Sequence, residues 1–148
     1  MIIILGDQCR SALVDLQAGM RNGAVYAVKA AVTAAVDDAK ATTLFKDQSG
    51  ALRKSITGTS FGLEGSVTAD AGVAKFIENG TRPHVIEARG SGTLAFVANG
   101  STVFARRVNH PGTAPRPFME HAKQVGEQTL DYGIELLLEK PIARFNAA

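Results

Sequence analysis

The chain has 148 residues, of which 45% are apolar and 20% charged, with 16 Lys and Arg against 14 Asp and Glu. These proportions are those of an ordinary soluble domain and exclude a disordered chain, while a net charge of +2 is too small to imply nucleic-acid binding unless it is clustered. Cys9 is the one cysteine, which excludes an intramolecular disulfide and a cysteine zinc cluster.

A chain of this length is expected to form one domain over 1–148 and to bury roughly two-thirds of its unfolded surface. The opening "MIIILGDQCR" has an apolar run with no basic residue ahead of it, unlike a signal peptide. No stretch approaches the roughly 20 apolar residues that span a bilayer, so synthesis and retention in the cytosol are expected. A short helix is predicted from about Cys9 to Ala18, with Leu13 and Leu16 on one face and a break at Gly19 and Asn22-Gly23. In "AVYAVKAAVTAAVDDAKA", Val25, Val28, Val32, Ala35, Val36 and Ala39 recur every three or four residues, which predicts a long amphipathic helix.

From Asp47 the period changes. After a polar turn, Ser55–Phe61 and Leu63–Ala69 read as two short strands of a hairpin around Gly62. One helical turn is predicted at about 72–79, ended by Gly80 with a positive φ. "RPHVIEARGSG" reads as an extended loop, because Pro83 restricts Arg82. "TLAFVANGSTVFARRV" carries the sharpest local signal: Asn99-Gly100 suits a two-residue type I′ turn, setting Leu94 opposite Ala105, Phe96 opposite Val103 and Ala98 opposite Ser101. Both faces of that hairpin are then apolar, which predicts cover on both sides, one side by the long helix and the other by a second helix or a neighbouring subunit. A last helix is predicted to start at Pro117 and to run to Pro141. The predicted class is α+β: an antiparallel sheet of about four strands packed by the long N-terminal helix and the C-terminal helix.

Chemistry-bearing patterns are sparse. His84, His110 and His121 have Glu78, Glu87 and Glu120 nearby in sequence, but in none of the spacings that mark a metal site. No nucleophile elbow and no Walker lysine occurs. The chain is therefore read as non-enzymatic, without cofactor or metal. Arg82, Arg89, Arg106 and Arg107 lie in the loop-rich second half, where convergence of segments 82–93 and 106–117 would make a positive patch able to contact phosphates or another subunit. A nucleic-acid-binding module is accordingly the alternative function.

Three ordered segments, "SGALRKSI" at 49–56, "VAKFIENGT" at 73–81 and "VNHPGTAPRPFMEHA" at 108–122, resemble the tail-completion, or neck, proteins of long-tailed phages of the lambdoid type. That family's pattern is a long N-terminal helix, a T-G-x-L-R-x-S-I segment, a Y-A-x-x-x-E-x-G-T segment, a hairpin, and an H-P-G loop ending in P-F before the last helix. Gly50, Leu52, Arg53, Ser55 and Ile56 match the first segment, Ala74, Glu78, Gly80 and Thr81 the second, and His110, Pro111, Gly112, Arg116, Pro117 and Phe118 the third. Ser49 stands where threonine is common and Val73 where tyrosine is usual, which leaves the place in the neck open. The resemblance implies a tail-terminator-like fold and a structural virion protein, assembled in the host cytoplasm into a homo-oligomeric ring, hexameric by the tail's symmetry. The implied partners are further copies of itself, the tail-tube or tail-terminator protein, and the head-completion or connector protein, with packaged DNA passing through the lumen. Within the third segment, Pro111-Gly112 is expected to turn the chain, His110 to fix that turn, Arg116 to hold a carboxylate such as that of Glu78, and Phe118 to anchor the last helix.

Overall fold

The computed structural model describes residues 6–47, 49–98 and 100–146. The architecture is α+β, with two long helices and three small antiparallel sheets of two strands each. The chain divides into two compact units, the first formed by the described residues up to Ala71 together with those from Phe118 onward, the second by Gly72–Pro117.

In the first unit α1 runs from Gly6 to Ala41 without interruption. The break expected at Gly19 and Asn22-Gly23 is absent, so the short helix at 9–18 and the long one are a single element. A glycine weakens a helix by only about 1 kcal/mol relative to alanine, and at Gly23 the missing side chain serves packing, since a Cβ there would overlap Leu137. Leu137 belongs to α4, Phe118–Asn146, which lies along α1. Small residues set the approach of the two helices: a Cβ on Gly133 would come within 2.8 Å of the Ala27 Cβ, and one on Gly126 within 3.2 Å of the Ala35 Cβ. α4 begins directly after Pro117, as expected, but continues through Pro141 to Asn146. Pro141 cannot donate to the Leu137 carbonyl, and a proline inside a helix costs about 3 kcal/mol, yet α4 runs on beyond it.

A second stripe of α1 carries a hairpin. After α2 (Ala51–Ser55), β1 (Ile56–Phe61) pairs with β2 (Glu64–Ala69) in register from Ile56↔Ala69 to Phe61↔Glu64, with Gly62 at φ 59° in the turn. Gly58 and Gly65 lie over Val32, where added Cβ atoms would meet its methyls at 2.6 and 2.5 Å. The outward face is hydroxyl-rich, with Thr57–Thr68 and Thr59–Ser66 bonds of 3.1 and 2.9 Å. The core of this unit is Phe45, Leu52, Ile56, Phe118 and Ala122 with the alanine side of α1.

The second unit holds α3 (Ala74–Asn79), β3 (His84–Glu87), β4 (Leu94–Ala98), β5 (Ser101–Ala105) and β6 (Arg107–His110). The segment read as a loop at 82–92 thus contains a strand, β3. Instead of a four-stranded sheet, β3 pairs only with β6 and β4 only with β5. The reason is nesting: the β4–β5 hairpin lies between β3 and β6 in sequence, so the chain folds back on itself once and each strand meets one partner. Thr81↔Thr113 and His84↔His110 share one register, whereas Leu94↔Ala105 is offset by the five residues Arg89–Thr93. The unit is therefore one long ribbon with a five-residue bulge on its ascending strand.

The register of the β4–β5 hairpin is the one that Asn99-Gly100 predicts, and Gly100 sits at φ 77°. Asn99 itself lies outside the described residues. Leu94, Phe96 and Ala105 are half-buried on one face, while Val97 and Phe104 on the other are 74% and 68% exposed. The apolar stripes of α1 pack against α4 and the first hairpin.

Candidate functional site

The first resemblance segment folds into a joint at the end of α1. A left-handed Gly50 (φ 71°) leads into α2, and the Arg53 N–H donates to Asp47 Oδ2 at 2.8 Å. The Arg53 guanidinium donates to the carbonyls of Lys40 and Thr42, the latter at 2.7 Å, and so closes the C-terminal end of α1. A cation there also complements the negative end of the helix dipole. The same guanidinium lies 4.8 Å from the centre of the Phe45 ring. Ser55 accepts from the Ala71 N–H at 3.1 Å and donates to the Leu52 carbonyl, fixing the far end of β2. Leu52 and Ile56 are fully buried between these polar ties.

The second and third segments are knitted together in the ribbon. Thr81 and Thr113 exchange both backbone bonds (3.0 and 3.1 Å), and their hydroxyls meet at 3.1 Å. Gly80 and Gly112 flank this crossing at φ 69° and 88°. A Cβ on Gly80 would overlap the Thr113 carbonyl, and one on Gly112 the Thr81 carbonyl. These two glycines are thus required both by left-handed backbone and by lack of space. The Arg116 N–H donates to the Ile77 carbonyl at 2.8 Å, which joins the second and third segments through the main chain. His110 Nδ1 accepts from the Gly112 N–H at 3.1 Å across Pro111, the turn-fixing arrangement anticipated for it.

The histidines occupy two places. His84 and His110 face each other across β3–β6 with ring centres 5.0 Å apart, and His84 Nδ1 bonds the Arg82 carbonyl at 2.8 Å. That carbonyl requires a proton on His84 Nδ1, whereas the Gly112 N–H requires a bare Nδ1 on His110. One nitrogen of each ring is thus committed to local backbone. Among the described residues no group of three or more His, Cys, Asp and Glu is close enough to hold a metal ion. His121 belongs to the first unit, its Nδ1 2.8 Å from Asp38 Oδ2. This pair flanks an open hollow of about 350 Å³ that Thr42, Thr43 and Leu44 also line. It ties the last turns of α1 to the first turn of α4.

The four arginines singled out by sequence all lie on the ribbon. Arg106 donates to the Gly90 carbonyl at 3.1 Å and closes the bulge, and Arg107 stands 3.6 Å from Glu87 across the ladder. Arg82 and Arg89 are exposed. Residues 72–117 carry six basic side chains and two acidic ones, a net charge of +4, within a chain whose total is +2. Phe45, Asp47, Thr113 and the Asp38–His121 pair escaped the sequence reading. Thr113 and His121 belong to the third segment and Asp38 to the long helix, but nothing local marks a partner 32 or 83 residues away.

No helix among the described residues is long and apolar enough to cross a membrane. In comparisons with known proteins, no family model, no curated protein and no solved structure matches the chain.

Proposed function

We propose that the chain is a structural subunit of a tailed-phage particle, forming a homo-oligomeric ring, hexameric if it follows the tail's symmetry, at the head-proximal end of the tail. The ring would complete the tail, meet the tail-tube or tail-terminator protein on one side and the head connector on the other, and let packaged DNA pass. The observation that carries this reading is the β4–β5 hairpin, whose Val97 and Phe104 stand in solvent on strands with one partner each. A two-stranded hairpin is marginal alone and an apolar edge is open to pairing, so such an arm suits burial against a neighbouring molecule. The three ordered segments support it further, because the residues that resemble the neck family are those that build the two joints described above.

The test is electron microscopy of particles made without this protein. Heads and tails that fail to join are expected; normally joined particles would overturn the reading. The net +4 of residues 72–117 favours a second reading, nucleic-acid binding by Arg82, Arg89, Arg106 and Arg107. It predicts duplex binding that weakens steeply with salt and is lost in Arg106→Ala with Arg107→Ala.

A further inference from the structure

We propose that the exposed face of the β4–β5 hairpin of one copy docks on the outer face of α4 of the next copy. This rests on the ring reading above and supplies its interface. The two surfaces are complementary in charge. Residues 72–117 carry a net +4, whereas residues 118–139 of α4 hold Glu120, Glu127, Asp131, Glu135 and Glu139 against Lys123, a net −4. Lys123 lies 3.9 Å from both Glu120 and Glu127, which leaves Asp131, Glu135 and Glu139 as a carboxylate row at four-residue spacing, all exposed.

The surfaces also match in apolar content and length. Ile134 and Leu138 are 40% and 42% exposed and fall beside that carboxylate row, Leu138 on the side of α4 away from Ala122, Gly126 and Gly133 and Ile134 on the flank between. They are one helical turn apart, about 6 Å. Val97 and Phe104 are diagonal neighbours on one hairpin face, about 7–8 Å apart. A five-residue strand spans about 17 Å, and the helix from Glu127 to Glu139 about 18 Å. Arg89 and Arg106, at the base of the hairpin, would then meet the carboxylates while the apolar pairs close between them. A phosphate backbone matches the arginines but offers nothing to Val97 and Phe104, which favours a protein occupant. Because the two surfaces differ, the contact is head-to-tail, and repetition of it closes a ring if the rotation allows.

The test uses the full chain in a Cys9→Ser background. Val97→Cys and Ile134→Cys in one chain should give disulfide-linked multimers on mild oxidation. Mixing the two single-cysteine proteins should give a mixed dimer. Phe104→Ser, at an exposed position and with an unchanged circular dichroism spectrum, should weaken self-association measured by sedimentation at least about tenfold. Arg89→Glu with Arg106→Glu should do likewise and be rescued by Asp131→Lys with Glu135→Lys. Assemblies of unchanged size that neither cross-link nor respond to Phe104→Ser would overturn this interface and leave the ring standing on another. A chain that stays monomeric even at millimolar concentration would overturn it too, the ring then being judged by the particle experiment. Duplex DNA binding that survives Phe104→Ser, in a protein without self-association, would transfer the ribbon to the nucleic-acid reading.

Discussion

The rings of Phe45 and Phe118 meet edge to face, with centroids 4.9 Å apart and planes inclined by 66°. Phe118 opens α4 and is fully buried; Phe45 follows α1 and is 3% exposed. With Arg53 over Phe45, this contact links the first and third resemblance segments within the helical unit.

Removing the Phe118 ring therefore opens a cavity at the joint. Phe118→Ala is expected to destabilise the fold by about 3–5 kcal/mol, through lost burial and the aromatic pair. Urea unfolding followed by circular dichroism measures this. A loss below 1 kcal/mol would show that the joint does not depend on the ring.

Legibility in the sequence followed the range of the interaction. The β4–β5 register could be read because Asn99-Gly100 fixes it locally, and the end of α3 because Gly80 supplies the needed φ. The α1 glycines misled: Gly23 serves a partner more than a hundred residues away, and only that partner explains why the helix does not stop. The four-stranded sheet failed because nested strands fold into a ribbon, a matter of pairing that periodicity does not encode. The Asp38–His121 pair gave no signal because neither the helix that holds Asp38 nor the segment that holds His121 marks a partner 83 residues away. Motif order did single out the glycines at 80 and 112, but their reason, mutual close approach at Thr81 and Thr113, appears only in three dimensions.

The Arg53 side chain makes its contacts through a fork that lysine lacks. Arg53→Lys should keep the charge at the end of α1 yet lose one of the two carbonyl bonds, and Arg53→Ala both. Losses of about 1 kcal/mol and about 2 kcal/mol are expected, from the net worth of such bonds. Equal stability of the two variants would mean that charge near the helix end, or packing on Phe45, carries the whole effect.

His110 holds its turn by accepting one backbone hydrogen bond. Its removal in His110→Ala should cost only about 1 kcal/mol, and the protein should remain folded. Faster amide exchange at Gly112, with Thr81 unchanged, is the expected signature. Global unfolding of this variant would contradict a role confined to the turn.

The Thr81–Thr113 crossing makes a sharper demand. Gly62→Ala faces left-handed backbone with nothing within 4 Å, and should lose about 1–2 kcal/mol from conformation alone. Gly80→Ala and Gly112→Ala add overlap with a carbonyl that is itself hydrogen-bonded, so both should lose more than Gly62→Ala and expose the Thr81 and Thr113 amides to exchange. Three equal losses would show that the crossing yields freely.

Glycines within the helices test the packing of α1 on α4. Alanine is favoured over glycine in a helix by about 1 kcal/mol. At Gly19 nothing lies within 4 Å of an added Cβ, so Gly19→Ala should stabilise the protein by about that amount. At Gly133 the added Cβ would stand 2.8 Å from the Ala27 Cβ and 3.5 Å from its Cα, atoms held by the backbone of α1. Gly133→Ala can be accommodated only by moving one helix off the other, and overpacking of this kind costs about 1–3 kcal/mol, more than the propensity gain returns. The two substitutions are therefore expected to shift the urea midpoint in opposite directions. If both raised it, the helices would be separating at no cost, and the alanine side of α1 would not be the close contact that holds this unit together.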